Sequence, residues 1–113
     1  MAVKERTEGD IVMLYPKGFL MGGAETDELQ NRVKELEESG NKKLIINLSE
    51  TSMMNSTAIG VFITAHKHYT ESGAKLKLCS VDRKIQNVFV ITKLSLVFDV
   101  YASEAEAIAS FAG

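Results

Sequence analysis

The sequence predicts an α/β fold: a single domain, 1–113, built on a mixed, mostly parallel β-sheet with an N-terminal hairpin and about four helices. Three observations carry this. The chain has 113 residues, the size of one ordinary domain. From Ala24 onward, segments with helical apolar spacing alternate with short aliphatic runs. Repeated βα units of this kind form right-handed crossovers and hence parallel strands. Ahead of them, two strand-length runs flank a turn, so the sheet opens with an antiparallel pair.

Val3 to Tyr15 reads as that hairpin, with Thr7-Glu8-Gly9-Asp10 as the turn and Ile11-Val12-Met13-Leu14-Tyr15 as the second strand. Pro16, the only proline, closes the run because it has no backbone hydrogen to donate. Gly18-Phe19-Leu20-Met21-Gly22-Gly23 is apolar between flexible residues and reads as an edge strand entering a loop. A first helix is predicted from Ala24 to Ser39: Leu29, Val33 and Leu36 recur at helical spacing, acids fill the first turn, and Gly40 follows the end. Leu44-Ile45-Ile46-Asn47-Leu48 is a strand whose three adjacent aliphatics indicate burial on both faces. A second helix is predicted from Asn55 to Ser72, with Ile59, Phe62, Ile63, His66 and Tyr69 along one stripe and Gly73 after it. Ala74 to Cys79 alternates as a strand, and Asp82 caps a third helix carrying Ile85, Val88 and Phe89 inward. Val97 to Tyr101 is a last strand, and Ser103-x-x-Glu106 is a capping box opening a final helix with Ala107, Ile108 and Phe111.

Composition narrows the function classes. Thirteen basic and fifteen acidic residues leave a net charge of −2, which lacks the basic field needed for nonspecific nucleic-acid or anionic-membrane binding. One cysteine excludes an internal disulfide framework and any multi-cysteine zinc site, and Cys79 within a strand reads as a buried, inert thiol. No apolar run approaches the roughly 18 residues of a membrane span, and the N-terminus has no signal-peptide pattern, so a cytoplasmic location is expected. The glycines match neither a phosphate-binding nor a dinucleotide-binding fingerprint, so no cofactor is expected. His66 and His68 lie two apart on a helix, about 200° around it, and do not share a metal ion. One partly buried and one exposed histidine is the expected pair.

The informative stretch is Asn47-Leu48-Ser49-Glu50-Thr51-Ser52-Met53-Met54-Asn55-Ser56-Thr57-Ala58-Ile59-Gly60. It leaves a buried strand, crosses a polar loop and enters a helix whose first turn holds two adjacent hydroxyls. Such junctions lie beyond the carboxyl ends of parallel strands, where ligands and partners meet α/β sheets. With Asn55 as N-cap, Ser56 and Thr57 fall near unsatisfied backbone N–H groups at the positive end of the helix. That end favours an anion by roughly 0.3–1 kcal/mol, so a phosphate there leaves the fold intact. The same phosphate adds about −1.5 to −2 charges to any docked surface. Capping alone also accounts for Ser and Thr at a helix start.

These residues resemble the signature of STAS domains of the anti-sigma-factor antagonist type. There, a strand ending Asp-Leu-Ser is followed by Asp-Ser-Ser/Thr-Gly-Leu/Ile-Gly at a helix start; here the counterparts are Ile46-Asn47-Leu48-Ser49 and Met54-Asn55-Ser56-Thr57-Ala58-Ile59-Gly60. The hairpin start, Gly18-x-Leu20, Gly73 before a strand and Ile91-Thr92-Lys93-Leu94 extend the likeness along the chain. The resemblance implies a protein that binds an anti-sigma factor, often itself a serine kinase, and so frees a sigma factor. The kinase would phosphorylate Ser56, with Thr57 the alternative acceptor, and a phosphatase would reverse it. The implied partner face comprises Asn47, Ser49, Thr51, Met54, Asn55, Ser56, Thr57 and Ile59. Asn47 and Asn55 stand where the pattern has acids, which removes two negative charges beside the acceptor. Ala58 replaces glycine within the first turn, where helix formation gains.

Two other readings follow from the same residues. The fold could serve as a bound subunit or scaffold in a stress-signalling or lipid-transport complex. An enzyme reading lacks an activated nucleophile: the candidate base His66 lies ten residues past Ser56, about 15 Å along the axis. Oligomeric state is left open by the sequence.

Overall fold

The turn predicted at Thr7–Asp10 closes on Gly9, whose φ of +63° suits a residue without a Cβ. It joins β1 (Val3–Glu8) to β2 (Ile11–Pro16) in antiparallel register, Glu8 opposite Ile11 and Val3 opposite Pro16. These elements belong to a computed structural model that describes residues 3–91 and 98–112. Then follow β3 (Gly18–Leu20), α1 (Ala24–Glu38), β4 (Lys43–Asn47), β5 (Thr51–Met54), α2 (Ser56–Glu71), β6 (Lys75–Cys79), α3 (Arg83–Ile91), β7 (Asp99–Tyr101) and α4 (Glu104–Ala112). The main sheet has the order β1-β2-β4-β6-β7, antiparallel only between β1 and β2. The expected mixed, mostly parallel sheet with four helices is what the chain forms.

The aliphatic triplet sits where continuous apolar sequence belongs. Leu44, Ile45 and Ile46 of the central strand β4 are buried on both faces. On one face, Leu14, Leu44, Ile46, Leu76 and Leu78 meet Leu29, Val33 and Leu36 of α1, Phe62 and Tyr69 of α2, and Ile85 of α3. On the other, Ile11, Met13, Ile45 and Cys79 lie under α4, with Ala107, Ile108 and Phe111 completing the layer. Burial pushes the Cys79 thiol pKa up, which keeps it an inert core side chain.

Caps appear where the sequence placed them. Asp82 Oδ1 accepts from Ile85 N at 2.9 Å, and Ser103 Oγ accepts from Glu106 N at 3.2 Å. The inward placement of Val88 and Phe89, the segment Ile91-Thr92-Lys93-Leu94 and the residue Val97 fall outside what the structure describes in side-chain detail.

Three expectations change. The stretch after Leu48 is not all loop: Thr51–Met54 is a short strand pairing in parallel with β3 in a separate two-stranded sheet. The edge strand predicted within Gly18–Gly23 is confined to Gly18–Leu20 and lies off the main sheet. Thr51 is buried with its hydroxyl donating to Pro16 O at 2.8 Å, so a residue read as loop chemistry is a structural tie. The buried stripe of α2 is Ala58, Phe62, Ala65 and Tyr69; Ile59 and His66 sit at its margin and Ile63 faces outward. Two alanines on the inner face let α2 lie close to its neighbours, which rotates the bulkier Ile59 and Ile63 toward the surface. In β6, a charged side chain, Lys77, is buried. It is 7% exposed, donates to Ser110 Oγ at 2.7 Å and lies 4.3 Å from the centre of the Phe111 ring, because α4 covers that face.

Candidate functional site

The site is the junction of β5 and α2. Asn55, with extended φ and ψ of −105° and −176°, caps α2 through Oδ1, which accepts from Ala58 N at 3.1 Å. Its other side-chain atom is equally engaged: Nδ2 donates to Met21 O at 2.9 Å. Its backbone N–H bonds Leu20 O at 3.1 Å. The helix start is thus fastened to the end of β3, and only an amide side chain can accept from Ala58 while donating to Met21. An acid at this position keeps the cap and loses the tie.

Ser56 is the first residue of α2, and its side chain is exposed. Its hydroxyl has no hydrogen-bond partner among the described residues. Thr57 is also exposed but packs closely: a Cβ at Gly22 would lie 3.1 Å from its γ-methyl and 3.2 Å from its Cβ. Gly22 has φ of +85° and donates its N–H to Thr26 Oγ1 at 2.9 Å, which fixes the loop to the first turn of α1. Gly22→Ala adds left-handed backbone strain to a crowded contact and should cost about 1–2 kcal/mol. Thermal denaturation checks this, and adding Thr57→Ala should return only the part due to crowding.

The other expected site residues separate into exposed and buried groups. Ser49 is exposed, and Asn55 and Ile59 are partly so. Asn47, Thr51 and Met54 are buried. They shape the junction from beneath. Asn47 Oδ1 accepts from Ser49 N at 2.9 Å, and Met54 belongs to the core.

Sequence reasoning did not single out Phe19 and Met21 as site residues. They are 62% and 46% exposed, on the strand and loop that Asn55 fastens beside Ser56. The signal was present: in Phe19-Leu20-Met21 the middle residue is fully buried, and strand alternation turns its neighbours outward. Along α2, Ser56, Ile59, Gly60 and Ile63 share one face at helical spacing, and Ile63 is 40% exposed. A Cβ at Gly60 would meet nothing within 4 Å, so this face is open to close approach. An exposed serine thus lies on the helix end beside an apolar rim, the kind of patch that marks a protein-binding surface.

His66 and His68 point apart, as expected. The His66 ring stands edge-on to Phe98 at 5.0 Å, while His68 faces Glu37 at 3.7 Å. Among the described residues no group of three His, Cys, Asp or Glu side chains is placed to hold a metal ion. No helix among them is long and apolar enough to cross a membrane.

The sequence profile of the STAS domain family matches residues 2–107. The chain belongs to the STAS domain family. The Anti-sigma-B factor antagonist of Bacillus subtilis is 34% identical over 74 residues, 66% of this STAS chain and 67% of that protein. The protein of the same name from Listeria monocytogenes is 35% identical over 63 residues, covering 56% of this chain and 55% of its own length. Solved structures share the fold. A Thermotoga maritima protein described as an anti-sigma factor antagonist superposes with a TM-score of 0.89 at 24% identity, covering 96% of this chain and 92% of its own. The anti-sigma factor antagonist SpoIIAA in its unphosphorylated form gives 0.77 at 17% identity, with 99% of each chain covered. Its phosphorylated form gives 0.77 at 18%, with coverage of 97% and 99%.

Proposed function

We propose that this STAS domain is an anti-sigma factor antagonist. It acts in the cytoplasm as a binding module, not an enzyme, and frees a sigma factor by capturing that factor's inhibitor. Ser49, Ser56, Thr57, Ile59 and Ile63 form the contact face, extended by Phe19 and Met21; Asn47, Thr51, Met54 and Asn55 hold it in shape. The inhibitor is also a serine kinase. Ser56 Oγ attacks the γ-phosphorus of ATP, ADP leaves, the hydroxyl proton passes to a base of the kinase, and the phosphorylated face no longer binds. A separate phosphatase restores it.

One observation carries the reading: an exposed serine hydroxyl without a partner among the described residues, at the start of α2 and beside a rim of exposed apolar side chains. Thr57 is the weaker acceptor because its β-carbon and methyl pack on Gly22, and a kinase would have to draw it out of that contact. The test is to mix the purified protein with the cognate anti-sigma factor and measure binding, then add ATP and locate modification by mass spectrometry. The expected result is a stable complex that dissociates as one phosphate accumulates on Ser56. Absence of a complex, or phosphate mapped elsewhere, overturns the proposal.

A further inference from the structure

On the α4 side of the sheet a polar cluster lies directly beneath the turn between β4 and β5. Glu104, the first residue of α4, has a side chain only 22% exposed. Its Oε1 accepts from the Tyr15 hydroxyl and from Asn47 Nδ2, the latter at 3.1 Å, while Oε2 faces Arg6 Nη1 at 3.4 Å. Burial first, and then the bond to the Glu104 carboxylate, push the Tyr15 phenol up to about 12, so Tyr15 remains a donor near neutral pH. Asn47 is 6% exposed and completes the chain: with its amide nitrogen held by Glu104, its Oδ1 is turned to Ser49 N, which donates at 2.9 Å. The geometry runs from the last helix, through one buried amide, to the backbone of the turn that leads into β5 and Ser56.

We infer that Glu104 is a positioning residue for the Ser49 turn, acting through Asn47, and that it dictates an amide at position 47. A carboxylate there would still accept from Ser49 N, but it would face the Glu104 carboxylate at hydrogen-bonding distance with no proton between them. The nearby cation, Arg6, is 64% exposed, and its charge is screened too well to neutralise a second acid. Glu104 lies 57 residues from Asn47 in the chain, and no motif around Ser56 includes it. The inference that this positioning serves partner recognition rests on the proposed function; the positioning itself does not.

The test follows the Ser49 amide in the free, full-length protein by NMR hydrogen exchange, with the Ala58 amide, held independently by the Asn55 cap, as the reference. Glu104→Ala should speed Ser49 exchange about tenfold, the loss expected when a hydrogen bond to a charged group no longer holds the Asn47 amide. Asn47→Asp should disturb the amide more. Asn47→Asp combined with Glu104→Gln should recover most of the protection, because the amide introduced at 104 donates to the carboxylate introduced at 47. Unchanged Ser49 exchange in Glu104→Ala overturns the inference, as does a double variant no better than Asn47→Asp alone. Given a wild type that binds an anti-sigma factor, Glu104→Ala should weaken binding by about three- to tenfold, and undiminished affinity overturns the recognition half. A wild type that binds none removes the proposed function and leaves the exchange results to decide the positioning.

Discussion

Ser56→Glu is expected to lower affinity for the cognate anti-sigma factor by about two to three powers of ten, from like-charge and desolvation costs at a contact. Ser56→Ala is expected to bind like the wild type. The contrast follows from local geometry. The hydroxyl is exposed and has no hydrogen-bond partner among the described residues, so deleting it costs the fold nothing it was using. A carboxylate at the start of α2 is tolerated by its own helix, since the electropositive end and the open amides of the first turn favour an anion. The penalty appears only when another surface closes over it and removes water. Isothermal titration of both variants, with circular dichroism showing unchanged helix content, checks the prediction. Equal affinity of Ser56→Glu and the wild type would remove the switch.

Phe62→Ala is expected to lose about 3–5 kcal/mol of stability, seen as a melting temperature lower by roughly 15–25 °C. Phe62 is 1% exposed, in the same apolar layer as α1 and the sheet strands β4 and β6. Truncation leaves a cavity that close-packed neighbours fill only in part. One residue further along, Ile63→Ala should cost under about 1 kcal/mol, because that side chain is 40% exposed and outside the buried stripe of α2. Partner binding should rank the two the other way: Ile63→Ala weakens it, while whatever Phe62→Ala remains folded binds normally. Urea denaturation beside titration separates the effects.

Much of this was legible in the sequence because local chemistry dictated it. The triplet Leu44-Ile45-Ile46 announced a central strand, Gly9 a hairpin turn, and Asn55, Asp82 and Ser103 the caps they turn out to be. What escaped was set by contacts remote in sequence. Thr51–Met54 contains two hydroxyls and no alternation; it becomes a strand because β3 supplies a parallel edge and Pro16 an acceptor. The stripe of α2 was rotated because the sequence shows which residues are apolar but not that alanines permit close approach. The resemblance puts Asn47 and Thr51 on the partner face, whereas their burial depends on Glu104 and Pro16 as partners. Lys77 was legible as charged, while its aromatic shelter depends on how the last helix lies.

The ribbon of β3 and β5 brings Phe19 level with Met53, thirty-four residues later, and one asparagine ties Met21 to the first turn of α2, where Ser56 stands. No short linear peptide reproduces that arrangement. Under the proposed function, a kinase that reads both halves at once would act on mature molecules and pass over nascent or heat-damaged ones. Quality control would then be built into the signal, since only folded copies would be inactivated.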